Sequence, residues 1–359
     1  MPFESTSGAR VRAVEVSGGS QEIEGPLLGY HHETYVIPLP LGTSADGGRW
    51  KCREPRGNLL WFDRRCFVSE EQLLKALAGR IEHIPDVFDV DSTGLQRFIE
   101  GQTLGSLYAF GEALPEPILD QIIVLFEQLA QVAPETLTIE RRCEKEDRPA
   151  DGDTNGFLER LIHFTQRRVY EENLEDFGGL FADLGLSEKS FTRLREHTAH
   201  LEERPFCLLH ADLHRENFII DPQQQLWTID WELAMVGDPL YDLATHLYLM
   251  QYPEEQRKWM EKLWAEAVDG IRPRSSEGLE HDLPRLLDYK RAQSVFTDVI
   301  REALSLGAGP DVATRLDQAG RKLHQVLTAA TEPLGLSVPS SEKIRAALAR
   351  WRRERPVGG

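Results

Sequence analysis

Residues 207–250 read CLLHADLHRENFIIDPQQQLWTIDWELAMVGDPLYDLATHLYLM, and the order of residue types along this stretch decides the fold. The apolar runs at 207–209, 218–220 and 226–229 are each of strand length. Between the second and third, DPQQQ (221–225) supplies a turn, because Asp and Pro favour tight backbone reversals. Polar side chains therefore collect at the mouths of strands: His210, Asp212, His214 and Asn217 after the first, Asp230 after the third.

Phosphoryl transfer needs a carboxylate beside the attacking hydroxyl, oxygen ligands for magnesium, and a cation on the phosphates. Asp212 stands in His-x-Asp and is followed by four residues and then Asn217, the Asp-to-Asn spacing of the protein-kinase loop H-R-D-x-x-x-x-N. Asp230 ends the next hairpin, where it can reach the same cation from the side opposite Asn217. Two other readings stay open on these residues. HADLH is also His-x-Asp-x-His, so His210, Asp212 and His214 with Asp230 could ligate a hydrolytic metal, a reading that leaves Asn217 without a role. A nucleotide-binding protein that has lost catalysis is the other, and the presence of Asp212, Asn217 and Asp230 together argues against it.

Bulk properties narrow the class. At 359 residues the chain is long enough for two or three compact units, at roughly 150 residues each. Hydrophobic residues at 41% and charged residues at 28% are ordinary for a globular protein and exclude wholesale disorder or a membrane bundle. A net charge of -18 repels a phosphate backbone, so nucleic acid is not expected as a partner; the acidity serves solubility first, with the steering of a cationic small molecule as the alternative. Cys52, Cys66, Cys143 and Cys207 are scattered, with no CxxC pair, which fits a reducing compartment. The start, MPFESTSGAR, has no basic region followed by an apolar run, and the best apolar stretch, 118–126, is short and carries Asp120. These features predict a cytoplasmic protein that neither spans nor enters a membrane, acting as a monomer or homodimer.

Outward from the central stretch the chain divides by pattern. Residues 1–100 are rich in short β-like runs, including YVIPL (35–39), RWKC (49–52) and NLLWF (58–62), with the turn LGTSADGGR (41–49) between the first two. One helix interrupts them at 69–77, where Ser69 can cap, acids fill the first turn, and Leu73, Leu74 and Leu77 form an apolar stripe. From residue 101 onward helical periodicity dominates, at 117–132, 157–170, 190–200, 254–268 and 283–304. The polar run 141–156 reads as an exposed loop, and the tail from Arg350 as frayed.

Taken in order, HADLHREN (210–217), IDWE (229–232) and GDPLYDLA (237–244) resemble the aminoglycoside phosphotransferase and choline kinase-like family, from about Gly25 to Met250. The resemblance implies an α+β, bilobal, protein-kinase-like fold: a small β-rich N-terminal lobe (1–100) and a larger, mostly helical C-terminal lobe (101–359). It implies that Asp212 orients or deprotonates an acceptor hydroxyl, that Asn217 and Asp230 hold Mg2+, that His210 braces the loop, and that Asp238 and Asp242 are structural. For ATP or GTP it implies Gly29 near the phosphates, in LGYHHETY (28–35), although His32 stands where the family more often has Asn. WKCREPR (50–56) resembles the strand with the phosphate cation two places before Pro, which favours Arg53. Lys51 shares that face of the strand and stays open beside it. Glu70 matches the helix carboxylate that pairs with the cation, with Glu71 a competitor. LQRFIEGQTL (95–104) resembles the hinge, with Phe98 and Ile99 beside adenine. The activity implied is ATP-dependent phosphorylation of a small-molecule hydroxyl, an antibiotic first and a metabolite such as choline second.

Overall fold

Period-two alternation is realised in the N-terminal part as an antiparallel sheet in the order β1-β2-β3-β5-β4, built from β1 (Glu24–Leu27), β2 (His32–Pro38), β3 (Arg49–Pro55), β4 (Val87–Val90) and β5 (Thr93–Arg97). The computed structural model describes residues 8–19, 22–27, 32–38, 48–55, 64–90, 93–143, 145, 148–307 and 311–354. The run 58–62 and most of the turn at 41–49 lie outside them. Tyr35 pairs with Cys52, and Lys51 with both Val36 and Gln96. Tyr35, Ile37, Trp50, Cys52 and Leu95 pack on one face against Ala9 and Ala13 of α1 (Gly8–Val16), a helix the sequence patterning did not signal. Strand alternation then turns Lys51, Arg53 and Gln96 to the other face.

Helix α2 (Glu70–Leu77) forms as its cap predicts: Ser69 Oγ accepts from the Gln72 N–H at 3.2 Å, and Leu73, Leu74 and Leu77 are buried. The hinge-like segment leads into β6 (Gln102–Thr103), α3 (Leu104–Leu107) and α4 (Glu116–Gln131). The central stretch supplies β7 (Cys207–Leu209), β8 (Phe218–Ile220), β9 (Leu226–Thr228) and β10 (Met235–Gly237). β6, β8 and β9 make an antiparallel sheet, and β7 pairs with β10. Asp221 closes the β8–β9 turn by accepting from the Gln223 and Gln225 N–H groups, each at 2.8 Å, and from Trp227 Nε1 at 2.9 Å.

The remaining helices are α5 (Thr154–Phe164), α6 (Leu174–Asp183), α7 (Glu188–His197), α8 (Pro239–Met250), α9 (Glu254–Ile271), α10 (Leu279–Ser305), α11 (Val312–Ala329), α12 (Thr331–Leu334) and α13 (Ser341–Glu354). Two compact units result: Met1–Cys143 with Cys207–Val236 and Leu249–Ile271, and Glu144–Phe206 with Gly237–Tyr248 and Arg272–Gly359. In the second, Tyr170, Phe181, Phe191 and Phe296 form an aromatic core with ring centroids 4.5 to 6.1 Å apart. Arg204 and Asp238, both without exposed side-chain surface, pair at 2.7 Å, and Arg204 also reaches Asp282 at 2.7 Å.

Two expectations are corrected. The tail is helical through Glu354 rather than frayed from Arg350, because Trp351 stacks on Phe177 at 5.2 Å and its Nε1 donates to the Asp176 carbonyl at 2.8 Å. The loop expected over 141–156 ends at Asp153, whose side chain caps α5 by accepting from the Gly156 N–H. Among the described residues no helix is long and apolar enough to cross a membrane.

Candidate active site

The loop after β7 is held by its own side chains. Asn217 Nδ2 donates to the Asp212 carbonyl at 2.9 Å and to Asp212 Oδ2 at 3.2 Å, leaving the amide oxygen for another partner. The Asn217 carbonyl accepts from the Ile229 N–H at 3.0 Å, which sets the end of β9, and so Asp230, beside the loop. His214 lies inside the loop: Nδ1 accepts from the Glu216 N–H at 3.2 Å and Nε2 stands 3.5 Å from Asp212 Oδ2. Burial works against protonating His214, but its bond to Asp212 outweighs that and holds its pKa above the ordinary histidine value. Arg215 is 1% exposed and donates to the carbonyls of Met250, Tyr108 and Glu112, so it ties the loop to three other segments through backbone oxygens.

His210 is fully buried against Trp231, with ring centroids 4.7 Å apart, and Nε2 lies 3.2 Å from the Ile229 carbonyl. Burial pushes its pKa down to about 4, so at neutral pH the ring is uncharged and links β7 to β9.

On the sheet side, Arg53 donates to Glu70 Oε2 at 2.5 Å and to Glu71 Oε1 at 3.0 Å, so both acids of the α2 first turn take the strand cation. Glu71 is steadied further by Ser69 Oγ at 2.9 Å and Gln96 Nε2 at 3.3 Å. The other Glu70 oxygen accepts from the Trp231 N–H at 2.9 Å, which links α2 to the turn that follows Asp230. Burial alone would raise the Glu70 pKa, yet Arg53 and that N–H hold it below the usual range. Lys51, beside Arg53, has no ion-pair partner within 4 Å among the described residues. Burial and then Arg53 lower its pKa, while Asp230 and Glu70 support its charge.

Asp230 adopts a left-handed backbone, φ 65° and ψ 64°, which Asp tolerates better than most side chains. Burial first, then the neighbouring carboxylates Glu70 and Glu232, push its pKa up to about 7, with Arg53 opposing. Carboxylate oxygens of Glu70, Asp230 and Glu232 lie within 4.8 Å of one another. Crowded carboxylates with oxygen-only donors suit a hard divalent cation such as Mg2+. Glu70 is already engaged by Arg53 and Trp231, which leaves Asp230 better placed than Glu70 to take such a cation. Glu232 is held by Arg65 at 2.8 Å and approached by His32 Nδ1 at 3.5 Å.

Gly29 lies outside the described residues. The Phe98 N–H donates to the Arg49 carbonyl at 2.8 Å and its ring lies 4.5 Å beneath the Arg49 guanidinium, while Ile99 is 5% exposed. Arg65, Glu232 and Arg215 were missed by sequence reasoning. Glu232 carried a signal, two places after Asp230 in IDWE, whereas Arg65 sits in no motif.

Residues 43–276 match the phosphotransferase enzyme family, and the chain belongs to it. Its fold is that of small-molecule kinases. Macrolide 2'-phosphotransferase MphH from Brachybacterium faecium is 18% identical over 90% of this chain and 95% of its own, with TM-score 0.50. A thermostable aminoglycoside phosphotransferase APH(4)-Ia, in ternary complex with ADP and hygromycin B, is 16% identical over 90% and 99%, with TM-score 0.51. Choline kinase LicA from Streptococcus pneumoniae is 16% identical over 88% and 98%, with TM-score 0.50. The expected α+β kinase-like fold, β-rich at the N-terminus and mostly helical beyond, is the fold observed.

Proposed function

We propose that this phosphotransferase moves the terminal phosphoryl group of ATP (or GTP), with Mg2+, to a hydroxyl of a small cationic acceptor, an antibiotic of the aminoglycoside kind first. One observation carries the reading: the bonded Asp212–Asn217 pair, Asp230 and the Arg53–Glu70 clasp come together within one compact unit. Residues 1–100 form the nucleotide lobe and 101–359 carry the catalytic loop and the acceptor wall.

Asp212 orients the acceptor hydroxyl and takes its proton, with Oδ2 fixed by Asn217 so that the other oxygen faces the substrate. Asn217 and Asp230 would hold the magnesium, which would supply positive charge to offset that of the phosphates. Lys51 reaches the phosphates, with Arg53 fixed beside it by Glu70 and Glu71. Gly29 approaches the phosphates by its backbone, Phe98 and Ile99 flank adenine, and neutral His210 braces the loop.

Asp212→Ala should lower kcat about 10²–10⁴-fold and leave nucleotide affinity within a few-fold, since Asp212 acts on the acceptor. Near-normal turnover in that variant would refute the role. Fold does not choose an acceptor; the charge of -18 favours a cation. The second reading, a metabolic kinase, is supported by the likeness to a choline kinase. ATP consumption measured across aminoglycosides, peptide and nucleoside antibiotics, choline and homoserine separates them, and turnover only with a primary metabolite overturns the antibiotic reading.

A further inference from the structure

His214 has no part in the roles assigned so far, yet both of its ring nitrogens are engaged within the loop after β7. Nδ1 accepts from the Glu216 N–H at 3.2 Å, so the proton of the neutral ring sits on Nε2, the nitrogen that stands 3.5 Å from Asp212 Oδ2. The same oxygen accepts from Asn217 Nδ2 at 3.2 Å. Two N–H groups therefore converge on Oδ2, while Oδ1 takes no hydrogen bond among the described residues. The ring is also held from outside the loop. Glu216 Oε2 accepts from Thr103 Oγ1 at 2.8 Å, and the carboxylate lies so close over Gly105 that a Cβ there would collide with it. Thr103 is fixed in turn by capping α3, its Oγ1 accepting from the Ser106 N–H at 3.2 Å. Glu216 is thus anchored to the segment that follows the hinge-like run, and the N–H that orients His214 is anchored with it.

We propose that His214 is a positioning residue for phosphoryl transfer: it fixes the Asp212 carboxylate through Oδ2, so that Oδ1 is the oxygen offered to the acceptor hydroxyl, and Glu216 with Thr103 keeps the ring in that orientation. This rests on the role proposed above for Asp212. The terminal torsion of an aspartate is broad, whereas a carboxylate that orients a hydroxyl must present one oxygen along a defined line. Asn217 alone is a weak brace, because its amide oxygen is assigned to the cation and the amide turns with whatever that oxygen binds. His214 supplies a second hold that depends on neither cation nor nucleotide, since its two partners are the loop backbone and Asp212 itself. In this role His214 donates to the carboxylate and exchanges no proton with the acceptor.

Three variants of the full-length protein separate this from a purely structural role for the ring. His214→Gln places an N–H near the position of Nε2 and leaves the Glu216 N–H without its acceptor. His214→Asn can accept from that N–H with its amide oxygen and is too short to reach Asp212, and His214→Ala does neither. ADP release is followed with ATP and Mg2+, with hygromycin B, choline or water as acceptor, beside a melting scan of each variant. The expected result is that His214→Asn and His214→Ala lower kcat about 10–100-fold with the KM for ATP changed less than about twofold, and that His214→Gln recovers most of the loss. Wild-type kcat in His214→Asn, or a loss in His214→Gln as large as in His214→Ala, would overturn the proposal. Glu216→Ala, at an exposed side chain, should lower kcat in the same sense, and an unchanged kcat would remove Glu216 from it. Nitrogen-15 spectra of histidine-labelled protein at pH 8.5, with the His214 signal assigned by its loss in His214→Gln, should show the Nε2–H form. The Nδ1–H form would overturn the geometry whether or not the protein turns over. Absence of both ATP binding and ADP release in the wild type, with the Nε2–H form present, would count against the kinase reading instead.

Discussion

Asp230 shows how a single side chain divides stability from function. Its pKa, pushed up to about 7, lies above the ordinary 3.8 expected in the unfolded chain, so folding without a cation favours the protonated form. The stability this group contributes is therefore present below about pH 4 and is lost as pH rises through 7, a swing of at most about 4 kcal/mol. Asp230→Asn should raise the melting temperature of the metal-free protein at pH 8 and abolish turnover; a scan without Mg2+ beside an activity assay reads both. On the proposed role of Asp230, protons compete with the cation. The apparent Mg2+ constant should weaken about tenfold per pH unit below 7, which titrations at pH 6, 7 and 8 would show as a slope. His210 runs the opposite way: the stability its pKa shift contributes is present above about pH 6.5 and is lost as pH falls toward about 4.

Among the elements, the passage from β5 to β6 is constrained by backbone on backbone. Gly101 has φ +153°, and a Cβ there would stand 2.2 Å from the Ile220 carbonyl oxygen and 2.8 Å from Ile219 Cγ2. β6 and β8 hydrogen-bond at Gln102–Ile220, so the chain must approach that closely to enter the sheet. Gly101→Ala should cost about 1–3 kcal/mol and weaken nucleotide binding by displacing Phe98 and Ile99, measured as a lower melting temperature with a higher nucleotide Kd. Helix α2 shows the complementary case, in which local signals suffice. Ser69, Glu70, Glu71 and the leucine stripe specify start, charge and face without help from elsewhere.

For the molecule as a whole, buried charge is concentrated where segments remote in sequence meet. Arg204 joins Asp238 of the third motif block to Asp282 on α10, all three without exposed side-chain surface beyond 1%. Arg204→Met leaves buried Asp238 without its cation and Asp282 with only the more distant Arg285 at 3.6 Å, and should cost about 3–5 kcal/mol, read as a shift in the urea unfolding midpoint. Arg168→Ala, which breaks the exposed pair with Glu172 four residues along the chain, should cost under about 1 kcal/mol. The ratio between these two shifts tests whether Asp238 is a structural anchor, the role its motif implied.

The sequence by itself determined what depends on near neighbours: the β-then-helix order, the capped α2, the hairpins of the central stretch, and the Asp212-to-Asn217 spacing that lets one loop bond to itself. It could not rank Lys51 against Arg53, because period-two alternation gives both the same face. Only the position of α2 decided that Arg53 takes Glu70 and Glu71. Nor could it find α1, whose alanines gain their place from the sheet they cover, or the ordered tail, which Trp351 fixes against Phe177. Arg65 with Glu232 and Arg204 with Asp282 join segments far apart along the chain. No local pattern encodes such pairs, since they arise only when strands and helices have packed and burial has made each unpaired polar group costly.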